Sequence, residues 1–221
     1  MARSNKNYES RKNELTKLAF DLFIRQGYEN TTITHIMKAA RLTKAGMYHY
    51  FSAKKDILAA AIAYGISRET EITLKNMAAL SLEEKMILFV KGSAKPNEFL
   101  EMLLKLKQRD KDSYAAYRIR EGLIHANIPI MEDILKEGIE KGIYKTDYPR
   151  QTAELLVLFG KALVEDNILP AVEEEELKLR SEFFLKLLAK WLDPDPRHMK
   201  AIIELFEQEF KVTYDFKETD K

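Results

Sequence analysis

The stretch Thr43-Lys44-Ala45-Gly46-Met47-Tyr48-His49 places an ammonium, a phenol and an imidazole on one side of a short helical turn. Ala45 and Gly46 keep the surface between them low. Donors on a slim helical face suit close approach to a polar, acceptor-rich surface, and duplex DNA presents one. Lys44 stands at the start of the helix, the end that would enter a major groove, and can donate to guanine O6 and N7. Ala45 can touch a thymine methyl, and Gly46 lets the backbone come near. Thr32, Thr34, Thr43, Tyr48, His49 and Lys54 offer hydroxyl, imidazole or ammonium groups to phosphates.

Two short helices around a tight turn must position these groups. Thr32 is placed to cap the first, whose Ile33, Ile36, Met37 and Ala40 fall at i, i+3, i+4 and i+7 and form one apolar face. Arg41 and Leu42 make the turn, and Thr43 caps a second helix beginning at Lys44. Met47, Tyr50 and Phe51 point inward, leaving Lys44, Ala45, Tyr48 and His49 outside. This is a helix-turn-helix pattern, although paired amphipathic helices also occur in proteins that meet no DNA. His35 lies on the first helix of the pair, where it decorates the surface or joins the contact.

Upstream, residues 1–9 are polar and read as a frayed end whose Arg3 and Lys6 could reach phosphates. A helix opening near Ser10 carries Leu15, Leu18, Ala19, Leu22 and Phe23 on its core face and ends at Gly27, with Tyr28 packing over the unit. Downstream, Ser52 is placed to cap a helix from Ala53 to about Met77, with Ile57, Leu58, Ala61, Ile62, Gly65 and Ile66 on one face. Lys54 and Lys55 in its first turn oppose the helix dipole unless an anion sits there.

The run Thr-Lys-Ala-Gly-Met-Tyr-His-Tyr-Phe from Thr43 to Phe51, followed by Lys54-Lys55-Asp56, resembles the DNA-binding domain of the tetracycline-repressor (TetR) family. The segment from Ala19 to Thr32 resembles that family's first helix and the turn after it. The resemblance covers about residues 10–65, and beyond them only the helical layout. The family commonly has glycine in the turn where this chain has Arg41, so either the turn avoids positive φ or Arg41 is strained. The resemblance implies Lys54 and Tyr48 as phosphate contacts. It also implies a larger helical domain that binds a small ligand and pairs with a second copy.

The later chain is consistent with such a domain. Ser81-Leu-Glu-Glu84 is a capping box opening a helix to about Val90, Gly92 and Pro96 punctuate a loop, and a helix follows from Pro96 to Lys107. Polar residues 107–112 read as a solvated connection. A long helical stretch then runs to Lys141, interrupted at Gly122 and Pro129. Pro149 suits the first position of a helix to about Asn167 that is apolar nearly all round. After Pro170 and the acidic run Glu173–Glu176 comes a helix with Leu177, Phe184, Leu187, Leu188 and Trp191 on one stripe. The last, Arg197 to Thr213, follows Asp193-Pro-Asp-Pro196 and shows Ile202, Ile203, Leu205, Phe206 and Phe210. The helices 148–167 and 173–192 either fill their own subunit's core or, as the resemblance implies, pair with their symmetry mates. Met77, Phe99, Met102, Tyr114, Tyr117, Arg118, Glu121, His125, Asn127 and Met131 are the candidate lining of a ligand cavity around Pro129.

Composition agrees with an all-α chain: of 221 residues only 8 are Gly and 6 Pro, and strand-like alternation is hard to find. The net charge of +1 hides an asymmetry, because residues 1–60 hold 11 Lys/Arg against 5 Asp/Glu and the remainder 25 against 30. A basic head on an acidic body suits a head that meets a polyanion. With no cysteine there is no thiolate metal site, and the composition fits a reducing cytoplasm. The N-terminus lacks a secretory apolar core, and the longest apolar run, Leu155 to Gly160, is far short of the roughly 20 residues of a membrane span.

Catalytic motifs are missing: there is no glycine-rich phosphate loop, no Gly-x-Ser-x-Gly elbow, and the four histidines are scattered. The expectation is an all-α regulator and not an enzyme, with no cofactor or metal. A helix-turn-helix DNA-binding domain spans 1–53, and a helical ligand-binding and dimerisation domain spans 54–221. Its partners are a double-stranded DNA operator, a small-molecule effector and a second copy in a homodimer, with no membrane. The alternatives are a helical protein- or lipid-binding module without an operator, and an enzyme whose site hides in the same cavity.

Overall fold

The computed structural model describes residues 2–91, 98–109, 114–164 and 173–210, and every described element is helical. In chain order these are α1 (Ala2–Gln26), α2 (Ile33–Ala40), α3 (Lys44–Tyr48), α4 (Lys54–Met77) and α5 (Leu82–Lys91). They continue as α6 (Glu98–Arg109), α7 (Tyr114–Glu140), α8 (Pro149–Val164), α9 (Glu174–Leu192) and α10 (Pro196–Phe210). Packing forms two units, one of residues 1–72 and 94–126, the other of 73–93 and 127–221. α4 as far as Ile72 packs with the first unit.

In the first unit the expected faces of α1, α2 and α4 meet. Leu15, Ala19, Phe23, Ile36, Met47, Phe51, Ile57, Leu58 and Ile62 are all buried in one cluster. Each large apolar side chain so buried contributes about 1.5–3 kcal/mol. The buried face of α1 is wider than Leu15–Phe23 periodicity indicates, because Phe20 is also inside, 5.2 Å from the Tyr64 ring and 5.4 Å from the Phe99 ring. Gly65 makes that possible: a Cβ there would lie 2.8 Å from Phe20 and closer still to Phe99. α1 also begins at Ala2 and not near Ser10, so most of the supposedly frayed end is helix. The first carbonyl to accept in α4 is that of Ala53, one residue beyond the Ser52 expected to cap it.

The second unit packs α5 against α10, and α9 against both α8 and α10. The box at α5 forms as expected: Ser81 Oγ accepts from Glu84 N at 3.2 Å, and Glu84 Oε2 accepts from Ser81 N at 2.8 Å. α7 is continuous through both Gly122 and Pro129. Pro129 and His125 both lie on an exposed side of the helix, where solvent can replace the bond that proline removes. Beyond α7, Tyr144 folds back over Gly138, and its hydroxyl hydrogen-bonds His198 Nε2 on α10. His198 Nδ1 lies 3.1 Å from Glu83 on α5. Burial, with the nearby Glu83 carboxylate, pushes the Tyr144 phenol well above its ordinary pKa, so it stays protonated.

Pro149 does open α8, and Asp195 caps α10 by accepting from Arg197 N at 2.9 Å. On α9 the buried stripe is Ser181, Phe184, Leu185, Leu188 and Leu192, while Trp191, expected inside, is exposed. The loop expected around Gly92 and Pro96, the connection at 110–112, and residues 165–172 and 211–213 lie outside the described residues. So do the side chains of Leu163, Val164, Leu177, Leu205, Phe206 and Phe210. Among the described residues no helix is long and apolar enough to cross a membrane.

Candidate nucleic-acid interface

The helix-turn-helix is built from two capped helices. Thr32 Oγ1 accepts from His35 N at 3.1 Å and His35 Nδ1 accepts from Thr32 N at 3.4 Å, a reciprocal box in which histidine replaces the usual Glu or Gln. His35 therefore serves the helix start. Thr43 Oγ1 accepts from Gly46 N at 3.2 Å and opens α3. In both caps the hydroxyl accepts from the backbone and keeps its own proton, so Thr32 and Thr43 can still donate to a phosphate.

Between the caps Arg41 adopts φ 52° and ψ 44°, and its N–H closes onto the carbonyls of Lys38 and Met37. The turn thus needs a left-handed residue, which for a side chain with Cβ costs about 1–2 kcal/mol. Arg41→Gly keeps the backbone bonds and is expected to stabilise the first unit by about 0.5–1 kcal/mol, after allowing for the freer unfolded chain. A urea titration followed by circular dichroism checks it, and an unchanged or lower midpoint contradicts it.

α3 presents the expected outer face. Lys44, Ala45, Tyr48 and His49 are exposed, while Met47 and, just beyond, Phe51 are buried. α3 proper ends at Tyr48, and His49 is its C-cap. Gly46 is half-buried, and a Cβ on it would lie 3.3 Å from Thr43 Oγ1 and 3.4 Å from Leu42. Its smallness serves the turn beneath it more than an approach from outside. Thr34 is exposed on α2.

Lys54 is placed differently from a free phosphate contact. Its ammonium donates to the Tyr28 carbonyl at 2.7 Å and stands 4.0 Å from the centre of the Tyr28 ring. Burial pushes it below the ordinary lysine pKa, partly offset by Glu29. Thr31 Oγ1 donates to Gly27 O at 2.7 Å in the same connection. Lys54 therefore ties the start of α4 to the link between α1 and α2, and any phosphate would share its remaining donors.

Two residues absent from the sequence-derived set contact this site from behind. Tyr8 stacks on Tyr50, with ring centres 5.1 Å apart, and Arg11 Nη2 donates to Ala40 O at 3.2 Å. Their signal was present: stepping back from Leu15 by three, four and seven residues gives Lys12, Arg11 and Tyr8, the same inner face of α1. The polar and amphipathic types at these positions hid it.

The residues expected to line a ligand cavity divide between the two units. Phe99 and Met102 belong to the core of the first unit, with α1 and α4. Tyr114, Tyr117 and His125 face solvent, and Arg118 pairs with Glu121 one turn away. Met77 and Met131 are buried in the second unit, where Asn127 is half-buried. Methionine and phenylalanine at helical spacing fill cores far more readily than cavities, and Phe99 and Met102 do so. Among the described residues no three His, Asp or Glu side chains are grouped to hold a metal ion.

Residues 15–61 match the sequence profile of bacterial regulatory proteins of the tetR family. No curated protein matches the sequence. Among solved structures, the chain resembles a TetR-family transcriptional regulator from Pectobacterium atrosepticum, with TM-score 0.54 and 17% identity over 86% of this chain and 98% of that one. It also resembles RolR in complex with resorcinol, with TM-score 0.55 and 13% identity over 89% of this chain and 95% of the other. At such identities the likeness is one of fold.

Proposed function

We propose that this chain, whose residues 15–61 match the profile of bacterial regulatory proteins of the tetR family, is a ligand-responsive transcriptional repressor that binds a palindromic operator as a homodimer. The observation that carries this reading is the exposed face of α3, Lys44, Ala45 and Tyr48, beside two threonine caps that each keep a proton to donate. Lys44 reads base edges, and Tyr48, Thr34 and the caps hold phosphates. A ligand releases the operator by binding the DNA-free conformation more tightly, with a typical coupling of about 1–3 kcal/mol. Nothing in this mechanism requires catalysis.

The second copy meets the uncovered face of α8 and α9. Leu155, Leu158, Leu179, Phe183 and Trp191 are 44–59% exposed on the isolated chain. Large apolar side chains gathered on two packed helices are a contact surface in waiting, and an isologous pair of such faces closes a dimer.

Selection of duplexes from a randomised pool, followed by titration over a salt series, tests the reading. The wild-type chain is expected to enrich one palindromic sequence, with affinity falling steeply as salt rises. Lys44→Ala is expected to relax base preference at one position per half-site. Lys54→Ala is expected to weaken every duplex alike and also to lower the melting temperature without DNA, because it loses the Tyr28 carbonyl and ring. No enrichment and no duplex binding at low salt would sink the regulator and leave a helical binding module. An unchanged melting temperature for Lys54→Ala would mean its ammonium does not brace the head.

A further inference from the structure

We infer that Tyr8 is a positioning residue for the recognition helix, setting how α3 presents Lys44 to base edges. The inference deepens the DNA-binding reading and rests on it. Nothing in α3 itself can fix its direction. It has only five residues, and helices well short of about a dozen residues have no stability of their own in water. Its orientation comes from what grips its two ends. At the start it is held by the Thr43 cap, and on its inner side by Met47, which is 1% exposed. At the far end the grip comes from α1.

Three side chains on one face of α1 make that grip. The Tyr8 ring lies 5.1 Å from Tyr50 at an interplanar angle of 27°, and 5.3 Å from the His49 ring, edge-on at 88°. His49 and Tyr50 are edge-on to each other at 5.0 Å, so the three rings close on one another. The Tyr8 hydroxyl comes within 3.5 Å of the His49 carbonyl, at the C-cap of α3. One turn along, Arg11 donates to Ala40 O, the last carbonyl of α2. Lys12 stands 5.9 Å from the centres of both the Tyr8 and Phe51 rings. α1 thus touches the end of each helix of the pair, and its first turns, otherwise polar, exist as helix where Tyr8 docks.

A stacked ring pair locks a direction better than an aliphatic contact, because offset stacking and edge-on packing are geometrically specific. If the grip is lost, α3 remains attached through Met47 but swings about it. Phosphate contacts tolerate a swing, since several hydroxyls and cations can exchange partners. Bidentate base contacts do not, so sequence-specific binding suffers before non-specific binding.

The experiment uses the full chain, a duplex that the wild type enriches from a randomised pool, and a scrambled duplex of equal length. Tyr8→Ala is expected to weaken the enriched duplex about tenfold or more and the scrambled one by less than about twofold. Tyr8→Phe is expected to restore both, because at 3.5 Å the hydroxyl adds little and the ring makes the stack. Tyr8→Leu, which keeps apolar bulk but not the flat ring, is expected to fold and to behave as Tyr8→Ala. In DNA-free protein the His49 ring protons are expected to shift in Tyr8→Ala, by loss of the Tyr8 ring current. Equal weakening of both duplexes, undiminished binding of the enriched duplex, failure of Tyr8→Phe to restore it, or an unmoved His49 signal would each overturn the inference. A wild-type chain that enriches no duplex would instead overturn the DNA reading, and the His49 shift would then report a brace without that role.

Discussion

Phe183→Glu combined with Leu158→Glu is expected to yield a folded monomer that has lost at least about a hundredfold of its operator affinity. Both residues are exposed on the isolated chain, at 59% and 46%, so neither change opens a hole in the core. Each puts a carboxylate into the surface proposed for the second copy, and two-fold symmetry places each new charge in that interface twice. Desolvating those charges without partners is more unfavourable than the apolar contact they replace is favourable. The monomer keeps its head but contacts one half-site at a time, and the loss of the linked second contact accounts for the fall in affinity. Sedimentation analysis beside duplex titration decides it. A variant that still sediments as a dimer and binds normally places the interface elsewhere, and one that unfolds by circular dichroism assigns these residues to the protein's own core.

Gly138→Ala is expected to destabilise the second unit by about 2 kcal/mol or more, even though alanine is the better helix former by about 1 kcal/mol. The added Cβ would lie inside the packing distance of the Tyr144 ring, 3.1 Å from its Cγ and closer to two other ring atoms. That ring has little room to give. It is 1% exposed, packs edge-on against His198 at 5.1 Å, and its hydroxyl is bonded to the same histidine. Two backbone N–H groups, those of Ile143 and Tyr144, already converge on the Gly138 carbonyl. Gly122→Ala gives the contrast: there the new Cβ would crowd the terminal methyl of Ile66, at 2.6 Å, which can rotate away, and would meet Ile66 Cγ1 at an ordinary 4.0 Å. Thermal denaturation of both variants checks the difference, and a Gly138→Ala midpoint at or above wild type contradicts the packing of Tyr144.

Much of the helix-turn-helix was legible in advance because its determinants are local. A cap, a turn and an apolar face are relations between residues a few positions apart, so Thr32, Thr43, Ile36 and Met47 carry them on their own spacing. Even at Arg41 local rules leave only a choice between an ordinary turn and a strained one, and the structure selects strain at φ 52°. Less legible was any residue whose partner is distant. The ammonium of Lys54 is consistent with a phosphate site at a helix start, yet it bonds a carbonyl 26 positions away. Phe99 and Met102 have the composition of a cavity wall, yet they fill a core with α1.

By itself, then, the sequence determined the helices, their caps, the basic head and the outward face of α3, through periodicity and short-range hydrogen bonding. Only the tertiary structure decided that the first turns of α1 stand behind α3 and that Lys54 closes onto Tyr28. It alone left Phe183 and Trp191 uncovered while Phe184 and Leu188 went inside. The physical reason is the same in each case. Local spacing specifies which side of a helix is apolar, but a helix apolar on several sides, or a polar face with a tyrosine in it, has many possible neighbours. Close packing among distant segments selects one of them.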